Sequence, residues 1–234
     1  IYLDPDRRHQ TKGKVFRLED CEPNLHTHLN FLLQRCETLL IKTSPMLDIS
    51  LGCLTLQHTH AVHIIAVQNE VKELLWVVRK NMPTQREIIA VNISDKSQSV
   101  FSFFNVAYPD ITYGKPETYL FEPHAAIMKS GGFAALAAAY PNLQKLHLHS
   151  HFFTGKTYVD FPGKTFKIQE VTPYTKRCAS IFKNTKAVVI ARNFPLTVAV
   201  IRKTHKIKEG QHTVLVFTTL YNNEKAIIRC TRVS

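Results

Sequence analysis

Short apolar runs alternate with segments of helical period along the first hundred residues, and that alternation limits the chain to layered α/β folds before any single residue is weighed. Ile1-Tyr2-Leu3 runs into Asp4-Pro5, the pattern of a buried parallel strand delivering an acidic residue at its carboxyl end. Such an opening has no preceding cap or arm, so the native chain is expected to continue upstream. Leu25–Cys36 places apolar residues at helical spacing behind the turn Glu22-Pro23-Asn24, with Asn24 as N-cap. Thr38–Ile41 and Ala61–Val67 read as strands. Glu70–Lys80 reads as a helix by its charges or a strand by its valines, and the helix is favoured here. Arg86–Ile93 and Ser99–Phe104 read as late strands. Repeated βα units predict a mostly parallel sheet with helices on its faces.

From Asn105 to Lys115 the periodicity lapses and Pro, Gly and Asp appear, which marks a domain boundary. Beyond it the pattern predicts strands at Thr118–Phe121, Leu143–Leu148, Thr165–Glu170, Ala187–Ala191, Thr213–Thr219 and Lys225–Thr231. Helices are predicted at His124–Lys129, Phe133–Ala139, Tyr174–Phe182 and Leu196–His205. This is a small α+β unit with a mixed sheet.

The chain of 234 residues has a formal net charge of +12. Residues 1–140 hold 14 Lys+Arg against 14 Asp+Glu, while residues 141–234 hold 16 against 4, so the whole excess lies in the last 94 positions. That segregation points to a polyanion as partner for the second half, with a merely solubilising surface as the competing reading. The five cysteines are odd in number, widely spaced and without a CxxC pair, which excludes a disulfide framework and a zinc knuckle and fits a reducing, cytoplasmic compartment. No apolar run approaches the ~18 residues of a membrane span, so no membrane partner is expected.

Several motifs carry chemistry together. They are Asp4-Pro5-Asp6-Arg7-Arg8, Leu18-Glu19-Asp20-Cys21-Glu22-Pro23, Lys42-Thr43-Ser44-Pro45-Met46-Leu47-Asp48-Ile49, Asn69-Glu70-Val71-Lys72-Glu73-Leu74-Leu75, Phe121-Glu122-Pro123-His124-Ala125-Ala126-Ile127-Met128-Lys129-Ser130-Gly131 and Arg192-Asn193-Phe194-Pro195-Leu196. In that order they resemble a family of bacterial class I methyltransferases that end in a ferredoxin-like segment and a THUMP-like domain. The resemblance implies the second half of a Rossmann-like sheet over residues 1–110, a ferredoxin-like segment over 111–160 and a THUMP-like, RNA-binding domain over 161–234. It also implies S-adenosylmethionine as cofactor, with the glycine-rich loop and acidic ribose ligand upstream of residue 1. The late strands would then be the antiparallel hairpin that closes the sheet. Structured RNA, a tRNA or rRNA, would be the substrate, by analogy with other THUMP modules.

Within that resemblance, Asp4 and the proline-fixed carbonyl before Pro5 can accept hydrogen bonds from a target amine and aim its lone pair along the line of methyl transfer. A plain turn is the commoner role of such a dipeptide. Where amine-methylating enzymes place an aromatic ring to stack the target base, this chain has Asp6-Arg7-Arg8. Arg7 and Arg8 either clamp a phosphate or pair with Glu19 and Asp20. Ser44-Pro45 and Asp48 follow the next strand and would face the same crevice as Asp4, with Lys42 beside a phosphate or the cofactor; a βα turn with Asp48 as helix cap is the rival account. The Asp6-Arg7-Arg8 departure keeps open an alternative to the enzyme, a non-catalytic RNA-binding protein on a degenerate Rossmann scaffold.

Lys156, Lys164 and Lys167 interleave with Phe152, Phe153, Tyr158, Phe161 and Phe166, a composition suited to stacking bases along a charged groove, although aromatics on strands are more often core. Lys129, Arg192, Asn193 and Phe194 are further candidates for RNA contact, with Arg192 and Asn193 reaching phosphates while Phe194 packs inward; a plain strand-to-helix turn is the competing reading. Arg202, Lys203, Lys206 and Lys208 make a basic helix end, which the helix dipole favours with or without a ligand. His147, His149 and His151 alternate along a predicted strand, but on a straight strand they spread over ~13 Å, too far for one ion. No metal site is expected.

Overall fold

The computed structural model describes residues 1–5, 18, 21–175 and 181–233 (for His26 the backbone alone). They form two compact units, Ile1–Ala107 with His124–Gly132, and Tyr108–Pro123 with Phe133–Ser234. No helix among the described residues is long and apolar enough to cross a membrane.

The first unit is a six-stranded mixed sheet. Its strands are β1 (Tyr2–Leu3), β2 (Thr38–Thr43), β3 (Thr59–Val67), β4 (Glu70–Arg79), β5 (Glu87–Ile93) and β6 (Gln98–Phe104), in the order β1-β2-β4-β3-β5-β6. Helices α1 (Leu25–Leu33), α2 (Ile49–Thr55) and α3 (Ala125–Ser130) belong to it. Asn24 caps α1 through its Oδ1, which accepts from the Thr27 amide at 3.3 Å. β1 is parallel to β2 and β3 to β5, and the other pairs are antiparallel. All four of those strands therefore end at one edge, and Asp4 lies there.

Glu70–Arg79 is a strand, not the helix favoured from its charges. Its true period is two: Leu74, Trp76 and Val78 are fully buried, while Leu75 and Val77 are half-buried on the opposite face. Gln68 and Asn69, at φ 52° and 63°, make the tight hairpin from β3. Ladders to β2 and β3 on both sides then outweigh the weak helical preference of Lys72 and Glu73. The hairpin that inserts an antiparallel strand into the sheet is accordingly β3–β4, and β5–β6 extend the sheet beyond it. Because of those hairpins the sheet is mixed, not mostly parallel.

One row of side chains crosses the sheet in register. Ile41 lies opposite Trp76, Trp76 opposite Val62, Val62 opposite Ile88 and Ile88 opposite Phe103. Trp76 anchors the row, fully buried, with its indole N–H donating to Thr43 Oγ1 at 2.8 Å. Gly52 of α2 lies directly against it: a Cβ there would fall 2.2 Å from the indole Cη2. The helix reaches the sheet only because position 52 has no side chain.

The second unit is one seven-stranded sheet. It comprises β7 (Tyr119–Pro123), β8 (Gln144–His147), β9 (Ser150–Gly155), β10 (Gly163–Pro173), β11 (Val188–Arg192), β12 (Thr213–Thr219) and β13 (Lys225–Arg232), in the order β11-β12-β13-β10-β7-β9-β8. Helix α4 (Phe133–Ala139) and helix α5 (Val198–His205) belong to it. β9 has no turn signal before it, and the sequence pattern does not predict it. Most of the helix expected over 174–182 lies outside the described residues.

Laid flat, seven strands would hold β8 and β11 about 29 Å apart. Yet Asn193, just past β11, meets His147 of β8 at 2.9 Å. The sheet is therefore strongly curled, and its concave side encloses Leu120, Leu146, Phe152, Phe166, Val216 and Ile228 as one core. Leu215, Phe217 and Ile227 point the other way and pack with Ile201 of α5. Phe152, Phe153, Phe161 and Phe166 are all buried, so the aromatics expected to line a base-stacking groove are core; only Tyr158 of that set is exposed.

Two outcomes test this packing. Gly52→Ala should cost about 1–3 kcal/mol of unfolding free energy and shift the emission of Trp76, the chain's single tryptophan, because indole and helix must separate. Wild-type stability with unchanged emission would contradict the close approach. His124 is buried with neither ring nitrogen partnered, and burial pushes its pKa down to about 4 from 6.5. The unfolded chain then binds more protons between those values, so stability falls as pH drops through that window, by up to ~3 kcal/mol. His124→Leu should flatten the acid limb of a denaturation series measured against pH; an unchanged limb would place the acid sensitivity elsewhere.

Candidate functional site

At the carboxyl edge of the first unit Asp4 meets Lys42 of β2, Oδ2 to Nζ 2.5 Å, both side chains partly exposed. The hydrogen bond that Lys42 donates to Asp4 raises the Lys42 pKa; desolvation opposes it, and the charges of Asp4, Tyr2 and Glu73 add to the rise. The ammonium is thus fixed in its charged form. Pro5 is buried.

The turn after β2 is closed by its own polar groups. Ser44 Oγ accepts from the Met46 amide at 3.2 Å, Ser44 O accepts from the Leu47 amide, and Pro45 is half-buried between them. Asp48 caps α2, its Oδ1 accepting from the Leu51 amide at 2.9 Å. The structure thus brings Asp4, Lys42, Ser44 and Asp48 to one strand edge. The Lys42 charge, the Ser44 hydroxyl and one Asp48 oxygen are already engaged there. Among the described residues the second oxygens of Asp4 and Asp48 remain as unengaged acceptors at this edge. Arg7, Arg8, Glu19 and Asp20 lie outside the described residues.

A hollow of about 520 Å³ opens at the opposite strand ends of the same unit, where α2, α3 and the ends of β5 and β6 meet. Arg86 lines it, with Nη2 donating to the Gln57 carbonyl at 3.2 Å. Lys129 stands in the last turn of α3, half-buried.

In the second unit the polar residues gather where the curled sheet closes. Glu122 of β7 is 2% exposed. Arg192 Nη2 lies 2.9 Å from its Oε1 and Lys164 Nζ 3.8 Å from its Oε2. The arginine contact is an ion pair whose angle is not that of a hydrogen bond, since Oε1 has no donor aligned on it. Asn193, at φ 50°, turns its amide nitrogen to His147 Nδ1, and His147 Nε2 meets Asn223 Oδ1 at 3.1 Å. Thr219 Oγ1 donates to the Asn193 carbonyl at 2.6 Å.

Beside this seam lie Lys145, His149 and His151. Lys145 is 3% exposed, donates to the Leu148 carbonyl at 2.7 Å and sits 4.5 Å over the Phe133 ring. His151 stacks on the same phenyl ring, the two centroids 4.8 Å apart. The three histidines are not spread on a straight strand: a two-residue turn at 148–149 pairs His147 with Ser150, and the rings of His147 and His149 come within 5.6 Å. No group of three metal-ligating side chains occurs among the described residues.

The remaining basic positions divide. Lys156, Lys167, Lys203, Lys206 and Lys208 are exposed. Arg202 turns back to the fold, Nη2 donating to the Ala187 carbonyl at 3.1 Å, so the basic helix end presents three lysines and not four free cations. Phe194 packs edge-on against Tyr174 at 4.9 Å and Phe217 at 5.5 Å, which commits its ring to the interior. Sequence pattern does not single out Lys145, because an isolated charge in an apolar strand carries no periodic signal, and Glu122 stands out only as part of the motif Phe121–Gly131 with no role attached.

None of the curated proteins matches the chain. A crystal structure of a candidate methyltransferase from Porphyromonas gingivalis W83 superposes with a TM-score of 0.87 at 31% identity, over 100% of this chain and 59% of that one. The chain therefore spans little more than half the length of the protein it resembles. Residues 119–162 match the model of a ferredoxin-like domain, and residues 163–232 match that of a THUMP-like domain. The second unit, in which those two segments share one sheet, is thus a ferredoxin-like and THUMP-like region, in a chain whose fold is that of a candidate methyltransferase.

Proposed function

We propose that the chain works within an S-adenosylmethionine-dependent methyltransferase that modifies structured RNA, a tRNA or rRNA, in the cytoplasm. The observation that carries this reading is Asp4 at the carboxyl edge of parallel strands, the edge where open α/β sheets bind their ligands. The order β1-β2-β4-β3, with antiparallel β4 inserted, suits the back half of a class I methyltransferase sheet, and the likeness to the P. gingivalis protein supports it.

The principal cofactor cradle would lie in residues preceding Ile1, with Lys42, Ser44 and Pro45 bordering it. The cofactor supplies an electrophilic methyl group. Asp4 does the positioning: Lys42 holds Oδ2, leaving Oδ1 to accept a hydrogen bond from the target amine or hydroxyl and to fix its lone pair on the line of attack. Arg7 and Arg8 would meet the target nucleotide's phosphate, and Asp48 keeps the pocket wall in place as the cap of α2.

RNA would be held by the second unit. Its exposed Lys156, Lys167, Lys203, Lys206 and Lys208, with Lys164, Arg192 and Asn193 at the seam, are the contacts we assign; Arg202 is engaged by the Ala187 carbonyl, and Lys129 belongs to the first unit. A non-catalytic RNA-binding protein is the second reading. It is favoured by the internal use of Lys42, Ser44 and Asp48, which leaves the described edge few free groups for a cofactor.

In the full gene product, Asp4→Ala should slow methyl transfer to RNA by roughly 10²-fold while cofactor affinity stays within a few-fold, and Asp4→Asn should do less harm. Unchanged turnover in Asp4→Ala would favour the non-catalytic reading. Affinity for RNA should fall linearly in log–log form as salt rises. Replacing Lys203, Lys206 and Lys208 together should flatten that slope by about one unit for each phosphate no longer neutralised, whereas Arg202→Gln should leave it nearly unchanged. A slope indifferent to the three lysines would refute their assignment.

A further inference from the structure

We propose that the seam of the second unit is a phosphate-binding site in which Lys145, His149, His151 and Arg192 hold the anion. That the phosphate belongs to an RNA backbone rests on the function proposed above; the site itself rests on charge and geometry.

The seam holds more positive charge than it can neutralise. Glu122 is the carboxylate within ion-pair distance of Arg192 and Lys164, and it can balance one of them. Lys145 has no carboxylate within that distance among the described residues. Its acceptor is a backbone carbonyl, and the face of Phe133 takes part of its charge. A buried ammonium in that position is a cost, because burial disfavours the charged form and pushes its pKa down to about 8. His151 Nδ1 is buried and has no partner. After desolvation, the charges facing that ring are those of Lys145 on β8, Arg192 on β11 and His149 in the turn between β8 and β9; all three oppose its protonation. Lys145 and His151 both pack on the Phe133 ring, and Arg192 and His149 are near enough to His151 to oppose its protonation; an anion bound among them would offset those charges.

Phosphate fits the gap better than a metal ion does. A dication would meet Lys145 and Arg192, whereas a phosphate oxygen can accept from the ammonium, the guanidinium and imidazole N–H groups together. His149 and Leu148 are exposed in the β8–β9 turn and the Arg192 side chain is 38% exposed, so those groups are within reach of a solvated anion, while Lys145 itself is 3% exposed.

The test is a titration of the whole chain with inorganic phosphate, against chloride at matched ionic strength, read from the imidazole signals of His149 and His151 by NMR. Saturable shifts are expected in both rings, with their pKa values raised, since a bound anion favours imidazolium. Lys145→Met should weaken phosphate by at least ~tenfold, and the variant lacking Lys203, Lys206 and Lys208 should bind it normally. Folding of Lys145→Met is checked independently. A lysine whose folded pKa of about 8 lies below its ordinary 10.5 destabilises the fold most at and below pH 8, so the variant should be at least as stable as wild type at neutral pH. That advantage should close as pH rises from about 8 to about 10.5. Rings that do not respond to phosphate overturn the site, and so does a Lys145→Met chain that folds and binds as wild type does. A structured RNA added next separates the two proposals: displacement of phosphate supports both. Bound phosphate that RNA leaves in place keeps the site and removes the RNA reading, and RNA binding with silent rings removes the site alone.

Discussion

The curl of the seven-stranded sheet is the constraint on which the second unit depends. Its edge strands β11 and β8 stand at opposite ends of the hydrogen-bonded order, and the 2.9 Å contact from Asn193 to His147 joins them. Side chains from six strands can share a single apolar core only in that closed form. Closure also sets the chemistry, because it carries Arg192 from one edge to Glu122 and brings the β8–β9 turn with its histidines alongside. Positive φ at Asn193 lets the chain leave β11 and aim its amide at the seam; Asn tolerates that conformation better than most residues.

The first unit rests on a different device. Its sheet is held to α2 by the missing side chain at Gly52 and the indole of Trp76, and the same Trp76 ties β4 to β2 through Thr43. Thr43 is followed at once by the turn that carries Ser44 and Asp48, so core packing and the geometry of the Asp4–Lys42 edge are coupled over a few residues. A buried hydroxyl thereby positions a surface carboxylate's partner strand.

Much of this is legible in the sequence, for reasons that can be named. β2, β3, β5, β6 and β10–β13 declare themselves because apolar runs bounded by turns are strong signals, and Asn24 and Asp48 carry recognisable capping chemistry. Glu70–Arg79 misleads because Lys72 and Glu73 suggest a helix, while the residues that decide the matter, the ladders on either side, are far away in sequence. The β8–β9 turn is invisible since Leu148-His149 contains neither Gly nor Asn, and the three histidines therefore look like one straight strand. Lys145 acquires meaning only through burial and closure, which no local pattern reports, and the ion pairs of Glu122 are equally invisible although its motif is not. The charge excess after residue 140 is legible in composition, but which of those cations turn back to the fold is not: Arg202 donates to the Ala187 carbonyl, a contact that no local pattern reports.

Methylation of RNA is the central claim, and mass spectrometry of nucleosides from the tRNA and rRNA of cells with and without the gene tests it directly. One methylated nucleoside should disappear when the gene is removed, return with the wild-type gene and fail to return with Asp4→Ala. Identical nucleoside profiles in all strains would contradict the assignment of a methyltransferase acting on RNA.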